Sequence, residues 1–422
     1  MVTMPRWGVP AIAAAAFALA LALRLSFLAE HPPELYLVGD MALYAEQGQA
    51  LFSRARVPWD TFTPPGYPAF LAVLGTVERV GAAQAVLGAT TAALTTLLAH
   101  RLSRDALAAA LAGVVTACYF PLVFYTGFVL TETLFAALLT ALLWLALVAC
   151  ERGSRALGSV AGLTLALAAT VRPSLLLFLP FLAWMALGRG RFLKREVGVL
   201  RAALFAASVA LALVAWHTSL VLGRPATIAS NGGVNFYLAH SECRSVRSLA
   251  GGRVVEVSTH YTRTHHREPC VIERPLLDEP WLYKTTLAAI AREPKKLVTA
   301  LDGVREGLGI APARGRREPP YWPGSFEHGE ELDRYSRTYP WVVLLPALAG
   351  AALARRRADT RLAHRLAWSL LGSVCIALYA YNGNPRVRLS SDPIAIALAC
   401  GALASLGRAA HASLGRRRAT RS

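Results

Sequence analysis

Charged residues are scarce in this 422-residue chain: Asp, Glu, Lys and Arg make up 17% of it, against roughly a quarter in a typical soluble domain. Hydrophobic residues make up 55%, and the mean hydropathy is +0.41. So little surface charge argues against a soluble globular protein. The long apolar runs argue against intrinsic disorder. The formal net charge is nevertheless +18, which keeps a nucleic-acid-binding protein as an alternative until the basic residues are placed.

Cysteine, lysine and glycosylation sequons are also rare. Six cysteines in 422 residues are too few for a disulfide-based scaffold. No Asn-x-Ser/Thr sequon occurs, so glycosylation offers no marker of topology. No internal repeat is evident in the sequence, although many membrane transporters contain one.

Apolar runs predict an all-α polytopic membrane protein with about ten transmembrane helices, because a spanning helix needs about 20 apolar residues and shorter ones can pair. The first run follows Arg6 and has features of a signal peptide. It exceeds the usual ~7–15 residues of such a core, and more runs follow, so an uncleaved first helix is favoured. The runs cover residues 10–29, 82–100, 106–124, 133–150, 157–171, 173–188, 197–221, 340–354, 363–381 and 393–407.

The segments between these runs alternate in charge. Every second connecting segment, taken together with the two terminal segments, belongs to one set. This set holds 20 of the 44 basic residues and four acidic ones, which gives it a net charge of +16. The positive-inside rule places this set in the cytoplasm, so both termini are predicted to be cytoplasmic. The positive charge thus follows membrane topology, and nucleic acid is not an expected partner.

Two long segments are predicted on the outer face, residues 30–81 and 223–339. They divide the chain into an N-terminal transmembrane module (1–222, with the first outer loop at 30–81), an outer domain (223–339) and C-terminal helices with a basic cytoplasmic tail (340–422). Within the outer domain, residues 281–308 have helical spacing with a break at Pro294. These two short helices lie either on the membrane or in the core of a small domain.

Asp40 opens an amphipathic stretch shortly after the first apolar run. It either caps a helix or presents a carboxylate that accepts a proton from a hydroxyl group. The following Thr-Pro-Pro-Gly-Tyr-Pro stretch at residues 63–68 predicts a rigid turn that holds the Asp40 segment. Glu132, at the start of the fourth run, is either part of a helix start capped by Thr131 or a second carboxylate facing the same cavity.

Several arginines are predicted on the same face. Arg172-Pro173 interrupts an apolar stretch that is too long for one span, and Arg172 either snorkels or binds a phosphate through its guanidinium. Arg386 and Arg388 lie on the last outer turn, where they either sit by chance or bind an anion. Arg24, in the first run, is predicted to snorkel.

Histidines and cysteines in the outer domain offer a competing metal site. Their spacing fits no standard zinc pattern, and no metal is indicated. A disulfide between Cys243 and Cys270 is the alternative, because the outer face is oxidising. The remaining cysteines, Cys118, Cys150, Cys375 and Cys400, are predicted to be small apolar residues in or beside the spans. The residues concerned in the metal alternative are His240, Cys243, His260, His265, His266 and Cys270.

The polar motifs, in this order and spacing, resemble those of bacterial GT-C glycosyltransferases, and above all the protein mannosyltransferases and aminoarabinose transferases (glycosyltransferase family 39 and relatives). The resemblance covers roughly residues 10–407. One departure is that Met41, and not a second acid, follows Asp40. The motifs are Gly39-Asp40 with Tyr44, Pro64-Pro65-Gly66-Tyr67-Pro68, Leu130-Thr131-Glu132-Thr133-Leu134-Phe135, Arg172-Pro173, Asn231-Gly232-Gly233-Val234-Asn235-Phe236-Tyr237 and Asn384-Pro385-Arg386-Val387-Arg388-Leu389.

This resemblance implies a multi-pass enzyme of the inner or plasma membrane that moves a sugar from a polyprenyl-phosphate donor, with inversion, at the outer face. A lipid, glycan or protein is the implied acceptor, and no cofactor is implied. Two carboxylates, Asp40 and Glu132, are the implied catalytic residues. The implied donor phosphate ligands are Arg172, Arg386 and Arg388, and the supporting residues are Tyr44, Tyr67, Asn231 and Asn235.

Two other function classes fit the composition. A transporter or lipid flippase would also use broken helices and intramembrane arginines, but it predicts internal repeats and a site at the bilayer midplane. A structural membrane subunit would leave Asp40 and Glu132 without a role. Enzyme function predicts that Asp40, Glu132, Arg172 and Arg386 meet at one cavity, whereas the other classes predict scattered positions.

Overall fold

The computed structural model describes residues 8–53, 55–188, 193–241, 243, 245–249, 255–258, 270–310, 325–354, 360–381 and 385–419. Most of these residues are helical. The first half contains α1 (Gly8–Glu30), α2 (Asp40–Ala50), α3 (Gly66–Leu74), α4 (Glu78–Ser103), α5 (Ala106–Cys118), α6 (Phe120–Phe124), α7 (Thr131–Arg152), α8 (Arg155–Val171), α9 (Leu179–Ala186) and α10 (Lys194–Leu222). The second half contains α11 (Gly232–His240), α12 (Glu279–Arg292), α13 (Lys295–Gly307), α14 (Ser325–Tyr339), α15 (Leu345–Ala354), α16 (Arg361–Ala380), α17 (Pro385–Leu389) and α18 (Asp392–Ala419).

The apolar runs all fall on helices, which confirms the predicted all-α polytopic membrane architecture. Among the described residues, α1, α4, α7, α10, α16 and α18 are long and apolar enough to cross a membrane. A seventh candidate is α5 together with residues 120–127, bent by 52° at the break. The remaining three runs lie on shorter helices: α8, the 3-10 helix Pro173–Phe178 with α9, and the π-helix Pro340–Leu344 with α15.

Helix α7 forms the centre of the bundle. In its apolar window 72% of the residues are buried within the protein, against 22% for α1 and 28% for α10. Its Leu139 and Leu143 pack with Leu165 of α8 and Leu200 of α10 in one continuous core. Because α7 is surrounded by protein, a polar residue at its first turn is held by neighbouring helices and not by lipid or water.

Arg24 is fully buried between α1, α4 and α5, so the prediction that it snorkels is wrong. Its Nη1 donates to the carbonyl of Ala20 at 3.1 Å and to that of Ala117 at 3.5 Å. The surrounding residues are mostly alanines, and Gly88 of α4 leaves the space that the guanidinium occupies. Small side chains on three helices therefore make room for this arginine inside the bundle.

Residues 223–339 contain a small sheet that the sequence did not predict. Its strands are β1 (Ser245–Ser248), β2 (Val255–Ser258) and β3 (Cys270–Ile272), in the order β2-β1-β3, with β1 antiparallel to β2 and parallel to β3. Val246 of β1 packs with Val234 and Leu238 of α11 and with Leu282 of α12. Phe62 of the 30–81 segment joins this core, so the two long segments pack together.

Cys243 and Cys270 form a disulfide with a Cα–Cα distance of 5.4 Å, which decides between the two alternatives for this pair. The bridge ties the chain before β1 to β3. The predicted helices of residues 281–308 are also present, since α12 ends at Arg292 and α13 begins just after Pro294. The first packs on α11, and the second packs on α16 and α17.

The Pro-Pro-Gly-Tyr-Pro turn begins α3 and presses it against the end of α8. A Cβ atom at Gly66 would lie 2.5 Å from the Thr170 hydroxyl and 2.8 Å from the Val171 nitrogen, closer than any side chain tolerates. Helix α2 packs on α3, with Gly48 facing Leu71. Helix α3 therefore links the segment that carries Asp40 to the end of α8, which directly precedes Arg172.

Candidate active site

A cavity of about 410 Å³ lies where the start of α2, the end of α8, α11, α12 and α17 meet. Three of the predicted charged residues line it, Asp40, Arg172 and Arg386, and so do Tyr44, Asn231 and Asn235. These residues come from segments up to some 350 positions apart in the chain, as the numbering shows. The predicted charged residues are therefore gathered and not scattered, with the exceptions of Glu132 and Arg388 described below.

Arg172 is placed by the break between α8 and the 3-10 helix that follows it. Pro173 cannot donate a backbone hydrogen bond, and it restricts Arg172 to an extended conformation (φ −139°, ψ 105°). The guanidinium then points toward the start of α7, where Nε donates to the Thr131 hydroxyl at 2.8 Å. Thr131 is the first residue of α7 and does not cap it, so the capping alternative for Thr131 is wrong.

Glu132 joins the two arginines beneath the cavity. Its Oε1 accepts hydrogen bonds from Nη2 of Arg172 at 2.6 Å and from Nε of Arg386. Its side chain has no exposed surface and does not line the cavity, so the prediction that Glu132 faces the cavity is wrong. Two guanidinium groups and one carboxylate leave a net charge of +1 at the cavity floor.

Asp40 is the exposed carboxylate of the cavity. It is the first residue of α2, and Gly39 holds the N-cap position, so the alternative that Asp40 is the N-cap is wrong. The Asp40 side chain is 56% exposed, and its Oδ2 lies 3.9 Å from Nη1 of Arg386. An accessible carboxylate beside a guanidinium can accept a proton while the arginine binds an anion.

Tyr44, which lies on α2 with Asp40, packs on Tyr67 of α3. Their rings meet edge to face with centroids 5.2 Å apart, and the fully buried Tyr67 donates to the side chain of Gln84 at 3.3 Å. Burial raises the pKa of Tyr44, and the nearby Asp40 raises it further. The Tyr44 phenol therefore stays protonated and lines the cavity as a neutral hydrogen-bonding group, whereas Tyr67 does not line it.

Arg388 lies away from the cavity, which corrects the prediction that it binds the donor phosphate. It follows Arg386 by two residues on α17 and is 4% exposed, with Nε 3.1 Å from Oδ1 of Asp392. Its guanidinium lies over the ring of Tyr339 at 3.5 Å, and Nη1 donates to the carbonyl of Gly307 at 3.1 Å. Tyr119 donates to the other oxygen of Asp392 at 3.0 Å. Arg388 thus connects α17 to α13, α14 and α18.

The chain is similar in fold to an archaeal oligosaccharyltransferase. AglB from Archaeoglobus fulgidus, solved in complex with an inhibitory peptide and a dolichol-phosphate, aligns with a TM-score of 0.51 and 14% identity, over 98% of this chain and 52% of that one. The apo form of the A. fulgidus oligosaccharyltransferase aligns with a TM-score of 0.51 and 13% identity, over the same shares.

The present chain thus spans about half the length of AglB. At this identity the likeness establishes the fold alone, which is an all-α polytopic membrane fold shared with these oligosaccharyltransferase structures. No family model matches the chain, and no curated protein matches it in sequence.

Among the cavity residues that the sequence analysis did not identify are Glu279, Tyr283 and Tyr381. The Asp278-Glu279-Pro280 stretch is a recognisable helix start, and Asp278 does cap α12 by accepting from Trp281. Nothing local shows that Glu279 reaches Gly233 of α11, to which its Oε1 is hydrogen-bonded at 3.1 Å. Only the packing of α11 against α12 brings these side chains to the cavity.

Among the described residues, no group of three or more His, Cys, Asp and Glu side chains could hold a metal ion. His240, from the metal alternative, instead places Nδ1 3.0 Å from the carbonyl of Phe236. His260, His265 and His266 lie outside the described residues, as does Asn384 of the last turn.

Proposed function

We propose that this protein is a membrane glycosyltransferase that moves a sugar from a polyprenyl-phosphate donor to an acceptor hydroxyl group. One observation carries the proposal: Arg172 and Arg386, fixed by the same buried carboxylate, line a cavity that also exposes Asp40. The fold it shares with AglB supports glycosyl transfer over transport. The absence of an evident sequence repeat also counts against a transporter.

The arginines act on the donor phosphate. Guanidinium groups bind phosphate through paired N–H donors, and the net charge of +1 over the two arginines and Glu132 attracts a phosphodiester. As the bond between the anomeric carbon and the phosphate oxygen breaks, the phosphate gains a second negative charge. Arg172 and Arg386 stabilise that charge, so the leaving group needs no general acid.

Asp40 acts on the acceptor. Its exposed carboxylate takes the proton of the acceptor hydroxyl while the acceptor oxygen forms the new bond to the anomeric carbon. A single displacement of this kind inverts the anomeric configuration. We further propose that the site faces the outer side of the cytoplasmic membrane.

Reconstitution in nanodiscs tests this function. The purified protein is incubated with undecaprenyl-phosphate carrying labelled glucose, mannose, galactose or arabinose and with membrane lipid, glycan and peptide acceptors, and released undecaprenyl phosphate is measured. Asp40→Asn should lower transfer by about 100-fold or more, the range for loss of a general base, with donor affinity unchanged.

Arg172→Gln should weaken donor binding instead. Matched controls are Asp333→Asn and Arg337→Gln, which remove an exposed ion pair on α14 (2.9 Å) and should leave transfer unchanged. Full activity of Asp40→Asn would refute the assignment of Asp40 as the general base. Wild-type protein that binds no polyprenyl phosphate and releases none from any donor would refute the function itself.

A further inference from the structure

A second part of the cavity lining differs in chemistry from the two arginines. It is formed by Asn231, Asn235, Glu279, Tyr283 and Tyr381, which we call the tyrosine wall. The only basic residues that line the cavity, within the part of the chain described, are Arg172 and Arg386. The tyrosine wall therefore offers amide, phenol and carboxyl groups that can both donate and accept hydrogen bonds, with no cation to bind phosphate.

Helix packing directs the tyrosine wall into the cavity. A Cβ atom at Gly232 would lie 2.6 Å from the Tyr283 hydroxyl, and one at Gly233 would lie 2.9 Å from the Cα of Glu279. Two successive glycines at the start of α11 thus let α12 approach closely enough for its first turns to reach the cavity. Any larger residue at these positions would push Glu279 and Tyr283 out of place.

The start of α11 is capped in an unusual way, which frees Asn231 for the cavity. Asn231 occupies the N-cap position, where an asparagine normally accepts from the backbone of its own helix, yet its side chain makes no capping hydrogen bond. Glu279 of α12 accepts from the Gly233 N–H instead, at 3.1 Å. The Asn231 amide therefore lines the cavity without a local structural task.

The two tyrosines are held in fixed orientation. Both rings contact Phe236, with ring centroids 5.4 Å away for Tyr283 and 6.4 Å away for Tyr381. An aromatic ring with a polar edge suits a ligand that has an apolar face and a rim of hydroxyl groups. Such a ligand is a sugar ring.

We propose that the tyrosine wall is a sugar-ring subsite, a proposal that rests on the proposed function of the cavity. The arginines hold the phosphate, and the tyrosine wall recognises ring hydroxyl groups by hydrogen bonds and by contact with the phenol rings. The sugar belongs either to the donor or to a glycan acceptor, since both present the same groups.

Conservative variants test the subsite, with nanodisc protein and two probes: undecaprenyl phosphate alone, and undecaprenyl phosphate carrying the sugar that binds best in the four-donor panel. Tyr283→Phe, Tyr381→Phe and Asn231→Ala should each weaken binding of the sugar-bearing lipid by about 3- to 10-fold, the usual worth of one hydrogen bond. Binding of undecaprenyl phosphate should not change.

Tyr379→Phe is the matched control, because Tyr379 lies on α16 two residues before Tyr381, is half-buried and donates to the Leu297 carbonyl outside the cavity. A raised KM for a glycan acceptor, with both donor affinities unchanged, assigns the subsite to the acceptor sugar. Equal loss of both probes, or no loss in any assay, overturns the proposal.

A saccharide assay separates this inference from the function. Methyl glycosides of the four sugars are tested by saturation-transfer NMR with wild-type protein and with Tyr283→Phe/Tyr381→Phe. If no polyprenyl phosphate binds, the proposed function fails; a saccharide signal that the double variant loses still supports a sugar site. Without lipid binding and without such a signal, the subsite is refuted as well.

Discussion

Nη2 of Arg172 donates a 2.6 Å hydrogen bond to Oε1 of Glu132, across 40 positions of the sequence and at the centre of the helix bundle. Arg386 donates to the same oxygen from the other side. A buried carboxylate that holds two guanidinium groups fixes the spacing of the groups that line the cavity. We therefore expect Glu132 to act through the arginines and not by contact with substrate.

Glu132→Gln should therefore damage both stability and donor binding. The amide cannot balance two buried positive charges, and removing one partner of a buried ion pair costs about 3–5 kcal/mol. We expect a lower thermal unfolding temperature in nanodiscs and weaker binding of undecaprenyl phosphate. Glu151→Gln is the control, because that glutamate pairs with Arg101 and Arg104 at an exposed position, where such pairs contribute about 0–1 kcal/mol. Similar losses of stability in both variants would contradict this view of Glu132.

Arg388 and Arg386 should differ in what they support. Arg386→Lys should weaken donor binding, because a lysine cannot reproduce the contacts of the guanidinium at the cavity. Arg388→Lys should instead lower the unfolding temperature, since it disturbs the buried pair with Asp392 and the contact with Tyr339. Its effect on donor affinity in the folded protein should stay within about 2-fold, below the usual worth of one hydrogen bond. Loss of donor binding in Arg388→Lys at an unchanged unfolding temperature would return Arg388 to the phosphate site.

Glu279 should make the stability of the α11–α12 region depend on pH. Burial raises its pKa above the ordinary value of 4.5, although the Gly233 and Gly232 N–H groups and Arg224 act in the opposite direction. The folded state therefore binds this proton more tightly than the unfolded state, so the contribution is fully present below the ordinary pKa. It is lost as pH rises from 4.5 through the raised value.

Hydrogen exchange measures this effect directly. Exchange in peptides from α11 and α12 is corrected for the intrinsic pH dependence and compared at pH 5 and pH 8, for wild type and for Glu279→Gln. Protection should fall with pH in the wild type, and the slope should be smaller in the variant. Peptides from α7 serve as an internal reference. An unchanged slope in Glu279→Gln would mean that other groups cause the dependence.

Much of the architecture follows from local sequence patterns. Apolar length alone locates α1, α7 and α10, and Pro173 alone ends α8 and exposes Arg172 at a helix junction. Alternating charge places Asp40, Arg172 and Arg386 on one face, and these three do line one cavity. Such features need only helix length, proline geometry and the cost of charge in a membrane.

The remaining features depend on contacts between distant residues. Thr131-Glu132 has the local pattern of a capped helix start. The role of Glu132 as a buried partner of arginines depends on Arg386, which lies 254 positions away in the sequence. Arg388 follows Arg386 by only two positions, and the local sequence does not distinguish them. Arg388 points away from the cavity because it pairs with the buried Asp392. The strands of the small sheet have three or four residues each, too few for an alternating pattern to be recognised.

The close approach of Gly66 to Thr170 and Val171 has a consequence for how the cavity changes width. Helix α3 has no space to move closer to the end of α8, and α2 packs on α3, so the segments that carry Asp40 and Arg172 are coupled through α3. Arg386 is tied to Arg172 through Glu132, whereas Glu279 lies on α12, outside these contacts. We therefore expect a change in cavity width to come from α11 and α12, while Asp40, Arg172 and Arg386 move as one group.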